Sequence, residues 1–211
     1  VCKERGVLFV VNGSQAIGAR PIDLSSLPVD ALVGCGFKWL CGPYATGYAW
    51  VRPSIVESLR NRPAYWLSQL DESGLGAEVR YEIRDNLGAA AFDVFCTANF
   101  LNFTAWEQSL SLVNALGVET IARYDDALVD RVIAGAKDAG FDVLSPEEGN
   151  ARSTLVFVSH RDPSRNDAVH SSLREEGIHV AKRVGALRIS PHFYNNEQDI
   201  DRLLDGLRRA S

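Results

Sequence analysis

Val7-Leu8-Phe9-Val10-Val11-Asn12-Gly13-Ser14-Gln15 is the stretch whose reading decides the fold. Val7 to Val11 is a continuous apolar run of β-branched, aromatic and aliphatic residues. Such a run reads as a strand buried on both faces, as in a parallel sheet. It stops at a polar turn, Asn12 to Gln15, at the strand's carboxyl end. In open α/β sheets that edge is where ligands sit. Upstream, Val1 to Gly6 reads as the last turn of a helix, with basic residues and then a C-cap glycine.

Working outward, a second short strand, Asp30 to Gly34, delivers the chain to Gly34-Cys35-Gly36-Phe37-Lys38-Trp39-Leu40-Cys41-Gly42-Pro43. Lysine is scarce in this chain: besides Lys38 there are only Lys3, Lys137 and Lys182. An amine held among glycines, aromatics and apolar residues has two readings. Taken out of water it loses its proton more easily and can attack a carbonyl to form a Schiff base. Alternatively, it snorkels, with its stem packed and its head in water. The turn by itself leaves both open.

Composition narrows the partners. The 211 residues are 46% hydrophobic and 23% charged, which suits a globular protein with a sizeable core. A net charge of −5 gives no basic excess for nucleic acid or an anionic membrane surface, so a small-molecule partner is expected. Cys2, Cys35, Cys41 and Cys96 show no paired CxxC spacing and lie among apolar residues. They read as reduced thiols of a cytoplasmic protein, with neither a disulfide nor a zinc site expected. No apolar run reaches membrane-spanning length and no signal-peptide pattern opens the chain, so neither membrane insertion nor export by that route is expected.

Thr46 to Val51 reads as a third strand, and Pro53 to Leu59 as a helix opened by proline. Strands this closely spaced cannot all be joined by crossover helices, which predicts an antiparallel part of the sheet. Asn61 to Leu87 reads as an extended surface segment. Two helices follow, Thr97 to Leu116 with apolar spacing through Phe100, Leu101, Phe103, Trp106, Leu110, Leu112 and Val113, and Val118 to Ala139. Strands are then predicted at Phe141 to Leu144, Ser153 to Ser159, Ile178 to Lys182 and Ala186 to Ile189. Helices are predicted at Asn166 to Glu176 and Glu197 to Ala210. This βαβ-type alternation predicts two parts, residues 1–116 and a small α/β subdomain over 117–211.

The order of these features resembles one family. Val7 to Gly18, then Pro21-Ile22-Asp23, then Val29 to Pro43, looks like the cofactor segment of class V aminotransferases, which are fold-type-I pyridoxal-phosphate enzymes. Leu187-Arg188-Ile189-Ser190-Pro191-His192-Phe193-Tyr194-Asn195-Asn196-Glu197-Gln198-Asp199-Ile200 is similar to that family's C-terminal signature. The wording around Lys38 is closest to the kynureninase and isopenicillin-N-epimerase-like branches. The resemblance implies an α/β fold, with residues 1–116 belonging to a large domain whose mainly parallel sheet has an antiparallel edge.

It also implies roles. Lys38 matches the lysine that forms the Schiff base with pyridoxal 5′-phosphate and later carries protons. Gln15 matches a residue bonded to the cofactor's phenolic oxygen. Cys35 and Phe37 stand where many relatives put phosphate ligands; neither side chain suits that task, so backbone N–H groups of the turn are expected to contribute more. Thr97 matches a residue that reaches the phosphate in the neighbouring subunit of a dimer, and reads equally well as a helix N-cap. Arg188 matches the arginine that pairs with the substrate α-carboxylate, against the alternative of an edge residue pointing to solvent. His192 reads as structural.

Three departures qualify this picture. Asn12 stands where the family has an aspartate that keeps the cofactor's pyridine nitrogen protonated. An asparagine brings no charge there, which leaves open an enzyme that needs a weaker electron sink, a degenerate enzyme or a substituted position. No cysteine precedes Arg188 in Val180 to Leu187, which disfavours persulfide chemistry by the desulfurase route. The family's N-terminal half is not in this sequence, so the chain is expected to be a fragment or one half of a functional unit. It should then associate with that half or as a homodimer, because its sheet would expose apolar edges. The resemblance therefore implies an aminotransferase, lyase or epimerase acting on an amino acid; the alternative is a catalytically silent binding or assembly subunit.

Overall fold

The structure, a computed structural model, describes residues 1–59, 87–92 and 99–211. The chain forms two compact units: Val1–Ile17 with Ile22–Ala115, and Gly18–Pro21 with Leu116–Ser211.

The first unit is built on a three-stranded sheet, β1 (Val10–Asn12), β2 (Ala31–Cys35) and β3 (Gly47–Val51), in that order. β1 pairs in parallel with β2, and β2 antiparallel with β3, so the expected antiparallel edge is β3. The sheet entrance is fixed by polar ties. Asp30 Oδ2 accepts from the Phe9 N–H at 2.8 Å, and Arg52 Nε donates to the Val29 carbonyl at 3.1 Å. Helices α1 (Pro53–Ser58) and α2 (Phe100–Leu116) follow, α1 opening on proline, whose fixed φ suits the first helical turn. The segment expected to be extended, Asn61 to Leu87, lies almost wholly outside the described residues.

Two expectations for this unit need correction. The first strand is shorter than the apolar run, and Val7, Leu8 and Val10 are 56%, 59% and 58% exposed rather than buried on both faces. In α2 only Trp106 and Val113 are buried, whereas Phe100 and Leu101 are 71% and 84% exposed. Apolar spacing identifies side chains that gain from burial; it does not guarantee that the covering surface is in the same chain.

The second unit carries α3 (Val118–Asp138), β4 (Phe141–Val143), β5 (Val156–His160), α4 (Asn166–Glu175), β6 (Ala181–Arg183), β7 (Ala186–Ile189) and α5 (Glu197–Ala210). Its sheet order is β4-β5-β7-β6, and every neighbouring pair is antiparallel. The expected βαβ alternation is therefore a split one: β5 and β6, joined through α4, run in the same direction with β7 inserted between them. The three helices share a core with one face of the sheet, in which Val129, Val132, Val158, Leu173, Leu187 and Leu207 are fully buried. α5 contributes Ile200, Leu203, Leu204 and Leu207, one helical stripe, and starts at a capping box between Asn196 and Asp199. Gly135 lets α3 approach α5, since a Cβ there would lie 2.6 Å from Leu204 Cδ2.

Gly18–Pro21 joins this second unit through Arg20, whose guanidinium donates to both carboxylate oxygens of Asp126 at 2.9 and 2.7 Å. Arg152 adds a 2.7 Å pair with Asp130. Beside them Asp125 is fully buried, and neither of its oxygens accepts a hydrogen bond among the described residues. Burial raises its pKa to about 7; the Arg20 charge opposes the shift and the neighbouring Asp126 charge adds to it. Because the folded state holds this proton more tightly than the unfolded chain does, the associated stability is present below the ordinary carboxylate pKa. It is lost as pH rises toward 7.

Two stability predictions follow from these features. Asp125→Asn should gain stability relative to the parent as pH rises from about 4 to about 8, by roughly 1–4 kcal/mol at the upper end. Urea titrations at several pH values measure it; a difference that is flat with pH contradicts the buried acid. The β6–β7 hairpin turns on two residues, Val184 and Gly185, both with positive φ (50° and 79°), a conformation that favours Asn-Gly and strains a β-branched residue. Val184→Asn should therefore raise stability by about 1 kcal/mol, read as a higher midpoint of thermal unfolding.

Candidate functional site

Parallel pairing puts the carboxyl ends of β1 and β2 side by side, with Asn12 opposite Val33. The turn after β1 and the lysine turn after β2 thus leave the same edge of the sheet. They are tied together there. The Gly13 N–H donates to the Val33 carbonyl at 2.8 Å, and the Cys35 N–H donates to Ser14 Oγ at 3.0 Å. The Ser14 N–H in turn donates to Asn12 Oδ1 at 3.0 Å, closing an Asx turn. Tyr48, on β3, lies under this edge: a Cβ on Gly34 would meet its ring Cζ at 2.7 Å. The Tyr48 hydroxyl is buried without a hydrogen-bond partner among the described residues, and burial, then Cys35, push its pKa up.

The lysine turn is a closed structure. The Gly36 N–H donates to the Thr46 carbonyl at 2.8 Å, the Cys41 N–H to the Lys38 carbonyl at 3.0 Å, and the Gly42 N–H to the Gly36 carbonyl at 2.8 Å. Thr46 Oγ1 donates to the Pro43 carbonyl at 2.7 Å. The indole of Trp106 packs on the turn from α2: a Cβ at Gly36 would lie 2.7 Å from its Cε2, and one at Gly42 2.9 Å from its Cγ. Side chains divide accordingly. Trp39 and Leu40 are buried, whereas Lys38 and Phe37 are exposed, with Phe37 stacked on Tyr44 at 4.6 Å between centroids. Gln15 is also exposed and Cys35 half-buried. The desolvated lysine considered above is thus not desolvated by the described residues of this chain.

The expectation that turn N–H groups are free for a phosphate meets a specific obstacle. Those of Cys35, Gly36, Cys41 and Gly42 are already bonded within the chain. Thr97 lies outside the described residues. Trp106, Ser14 and Tyr48 are the residues that sequence reasoning missed. The glycine pair at 36 and 42 is the one signal of a close approach, and it does not name the approaching side chain.

In the second unit Arg188 sits on β7, an inner strand, opposite Phe157 of β5 and Ala181 of β6. Its neighbours Leu187 and Ile189 point into the core, and Arg188 is half-buried on the other face. Its Nε is buried without a hydrogen-bond partner, and no carboxylate pairs with it among the described residues. A charged donor in that state suits an incoming anion. In the turn that follows, His192 is buried and stacked on Tyr194 at 4.2 Å, and burial lowers its pKa to about 4, so it is neutral near pH 7. Its backbone N–H donates to Asn195 Oδ1 at 3.1 Å.

The sequence model of the Aminotransferase class-V family matches residues 1–203. The chain belongs to that family. Among class-V proteins, isopenicillin N epimerase of Streptomyces clavuligerus is 28% identical, over 98% of this chain and 54% of its own length. An uncharacterized aminotransferase, YcbU of Bacillus subtilis, is 25% identical over 97% of this chain and 52% of its own. The chain thus spans about half the length of the curated relatives it matches. The apo cysteine desulfurase of Thermococcus onnurineus NA1 superposes with a TM-score of 0.81 at 18% identity, over 98% of this chain and 53% of that one. A mutant of the cystine C-S lyase C-DES, TM-score 0.77 at 21% identity over 96% of this chain and 51% of that one, has glycine covalently linked to its pyridoxal-phosphate cofactor. At these identities the likeness establishes the fold, that of fold-type-I pyridoxal-phosphate enzymes.

The class-V residues present fit such a cofactor in part. An exposed amine beside tied strand ends and an unpaired buried guanidinium nitrogen suit an aldehyde and a carboxylate, respectively. The turn N–H groups already bonded do not suit a phosphate. The packing around the lysine turn gives a direct test. Gly36→Ala drives a methyl into Trp106 and should cost about 1–3 kcal/mol of stability. It should also quench or shift tryptophan fluorescence, whereas unchanged stability and emission contradict the contact.

Proposed function

We propose that the protein carrying this chain is a pyridoxal-phosphate enzyme acting on an amino acid, as an aminotransferase, lyase or epimerase. The observation that supports this most is the parallel β1/β2 pair, which brings the Asn12 to Gln15 turn and the Lys38 turn to one sheet edge. Bound pyridoxal phosphate supplies an aldehyde for amines and a ring that draws electrons from the carbon beside the nitrogen. Lys38 would hold the cofactor through its amine, the group that suits that aldehyde. Its Nζ would also hold and move the proton at the substrate carbon. Gln15 would hold the cofactor at its phenolic oxygen. Arg188 holds the substrate carboxylate, which fixes the orientation of the reacting carbon.

Cys35 and Phe37 flank the phosphate end, but the turn's committed N–H groups leave most phosphate contacts to other parts of the protein. Those parts include Thr97 of a partner subunit and an N-terminal half of the kind the relatives possess. The exposed Val7, Leu8 and Val10 favour association with such a half, or as a homodimer. We place this enzyme in the cytoplasm on its cysteine usage. Among the described residues no helix is long and apolar enough to cross a membrane.

A second reading, a catalytically silent class-V subunit, is favoured by Asn12 and by the occupied N–H groups of the lysine turn. Absorbance separates the two. With added pyridoxal phosphate, the enzyme should show a near-visible band that Lys38→Ala abolishes, whereas a silent subunit should show no lysine-dependent band.

A further inference from the structure

Asn12 is held in one orientation by its own turn. The donor that it meets is a backbone N–H, that of Ser14, so the atom 3.0 Å from it has to be the side-chain carbonyl oxygen. Flipping the amide would set N–H against N–H and leave the Ser14 donor without its acceptor. The same serine accepts from Cys35 through its hydroxyl, so the residue that fixes Asn12 is itself fixed to the neighbouring strand. The Asn12 oxygen is therefore committed, and what remains is Nδ2 with its two hydrogens. Asn12 is exposed at the sheet edge, and no acceptor among the described residues takes those hydrogens.

We infer that Asn12 presents a hydrogen-bond donor to the cofactor and so holds the pyridine nitrogen in its unprotonated, accepting form. This rests on the function proposed above and on Asn12 facing that nitrogen. An aspartate at this position could keep the same bond to the Ser14 N–H through one oxygen. Its second oxygen could only accept, which requires a proton on the ring. Asparagine reverses the polarity of that contact: the protein donates and the ring accepts. A neutral ring draws electrons less strongly, so the inference narrows the proposed chemistry. It favours reactions that build little negative charge on the substrate carbon, or that disperse it into a substituent of the substrate itself.

The test is the protonation state of the ring nitrogen, which is independent of turnover. The protein in its longest natural form is loaded with pyridoxal phosphate labelled with ¹⁵N in the ring, and the nitrogen resonance is recorded at neutral pH for the parent and for Asn12→Asp. Thermal unfolding of both shows that the fold is kept. The expected result is a resonance in the unprotonated range for the parent and a shift to the protonated range for Asn12→Asp. A protonated ring in the parent overturns the inference and leaves the function standing, provided that the Lys38-dependent absorbance band is present. An unprotonated ring in both proteins also overturns it, because Asn12 then does not govern the nitrogen. Loss of the lysine-dependent band overturns the proposed function, and this inference with it.

Discussion

Everything proposed for this chain depends on two strand ends being level. β1 and β2 run parallel, so their carboxyl ends emerge together. The bonds from Gly13 to Val33 and from Cys35 to Ser14 then weld the two turns into one surface. Had β2 run the other way, Lys38 would leave the opposite edge of the sheet from Asn12 and Gln15. β3 supports the arrangement from the side: its antiparallel pairing with β2 brings Tyr48 under Gly34 and Thr46 onto Gly36. Trp106 closes the turn from α2. The lysine therefore projects from a rigid base even though its own side chain is exposed.

The second unit reaches a different balance. Its core is continuous, with three helices on one face of a four-stranded antiparallel sheet, and needs nothing from outside to bury its apolar stripe. Against that background the unpaired groups stand out. Among the described residues Asp125 is sealed in without a hydrogen bond, and Arg188 keeps a buried Nε unsatisfied on an inner strand. Interior polar atoms are nearly always paired, so each marks a place where stability was not the only constraint. For Arg188 the function proposed above offers a reason, a carboxylate that would arrive with the substrate. For Asp125 the fold shows the consequence, a pH-dependent stability, and nothing in the structure explains why an acid is kept there.

Legibility in the sequence followed the range of the interaction. α5 was readable to its end residues because its capping box, its apolar stripe and its basic last turn are all local. α3 was readable to within one residue, between Gly117 and Gly140. The insertion of β7 between β5 and β6 was not readable, since strand order is set by contacts between distant residues. Val7 to Val10 and Phe100 to Leu101 misled in the same way: their apolar character was read correctly, but the surface that would cover them is not among the described residues. At the site, Lys38 and Arg188 stood out by family pattern, whereas the Trp106 clamp joins positions far apart in the chain. The Asn12–Ser14 turn is local and could have been suspected, because asparagine followed two residues later by a free N–H is a recurrent turn former.

The hydrogen bond from the Gly13 nitrogen to Val33 has a further chemical consequence. An asparagine followed by glycine is the sequence most prone to spontaneous loss of ammonia, because glycine leaves its own backbone nitrogen free to close a ring on the preceding side-chain carbonyl. Here that nitrogen is bound to the neighbouring strand, and the carbonyl it would attack is bound to Ser14. The folded sheet edge thus guards Asn12 against chemical ageing. In the unfolded chain the guard is gone, and the same position would drift toward isoaspartate and aspartate without any change in the gene.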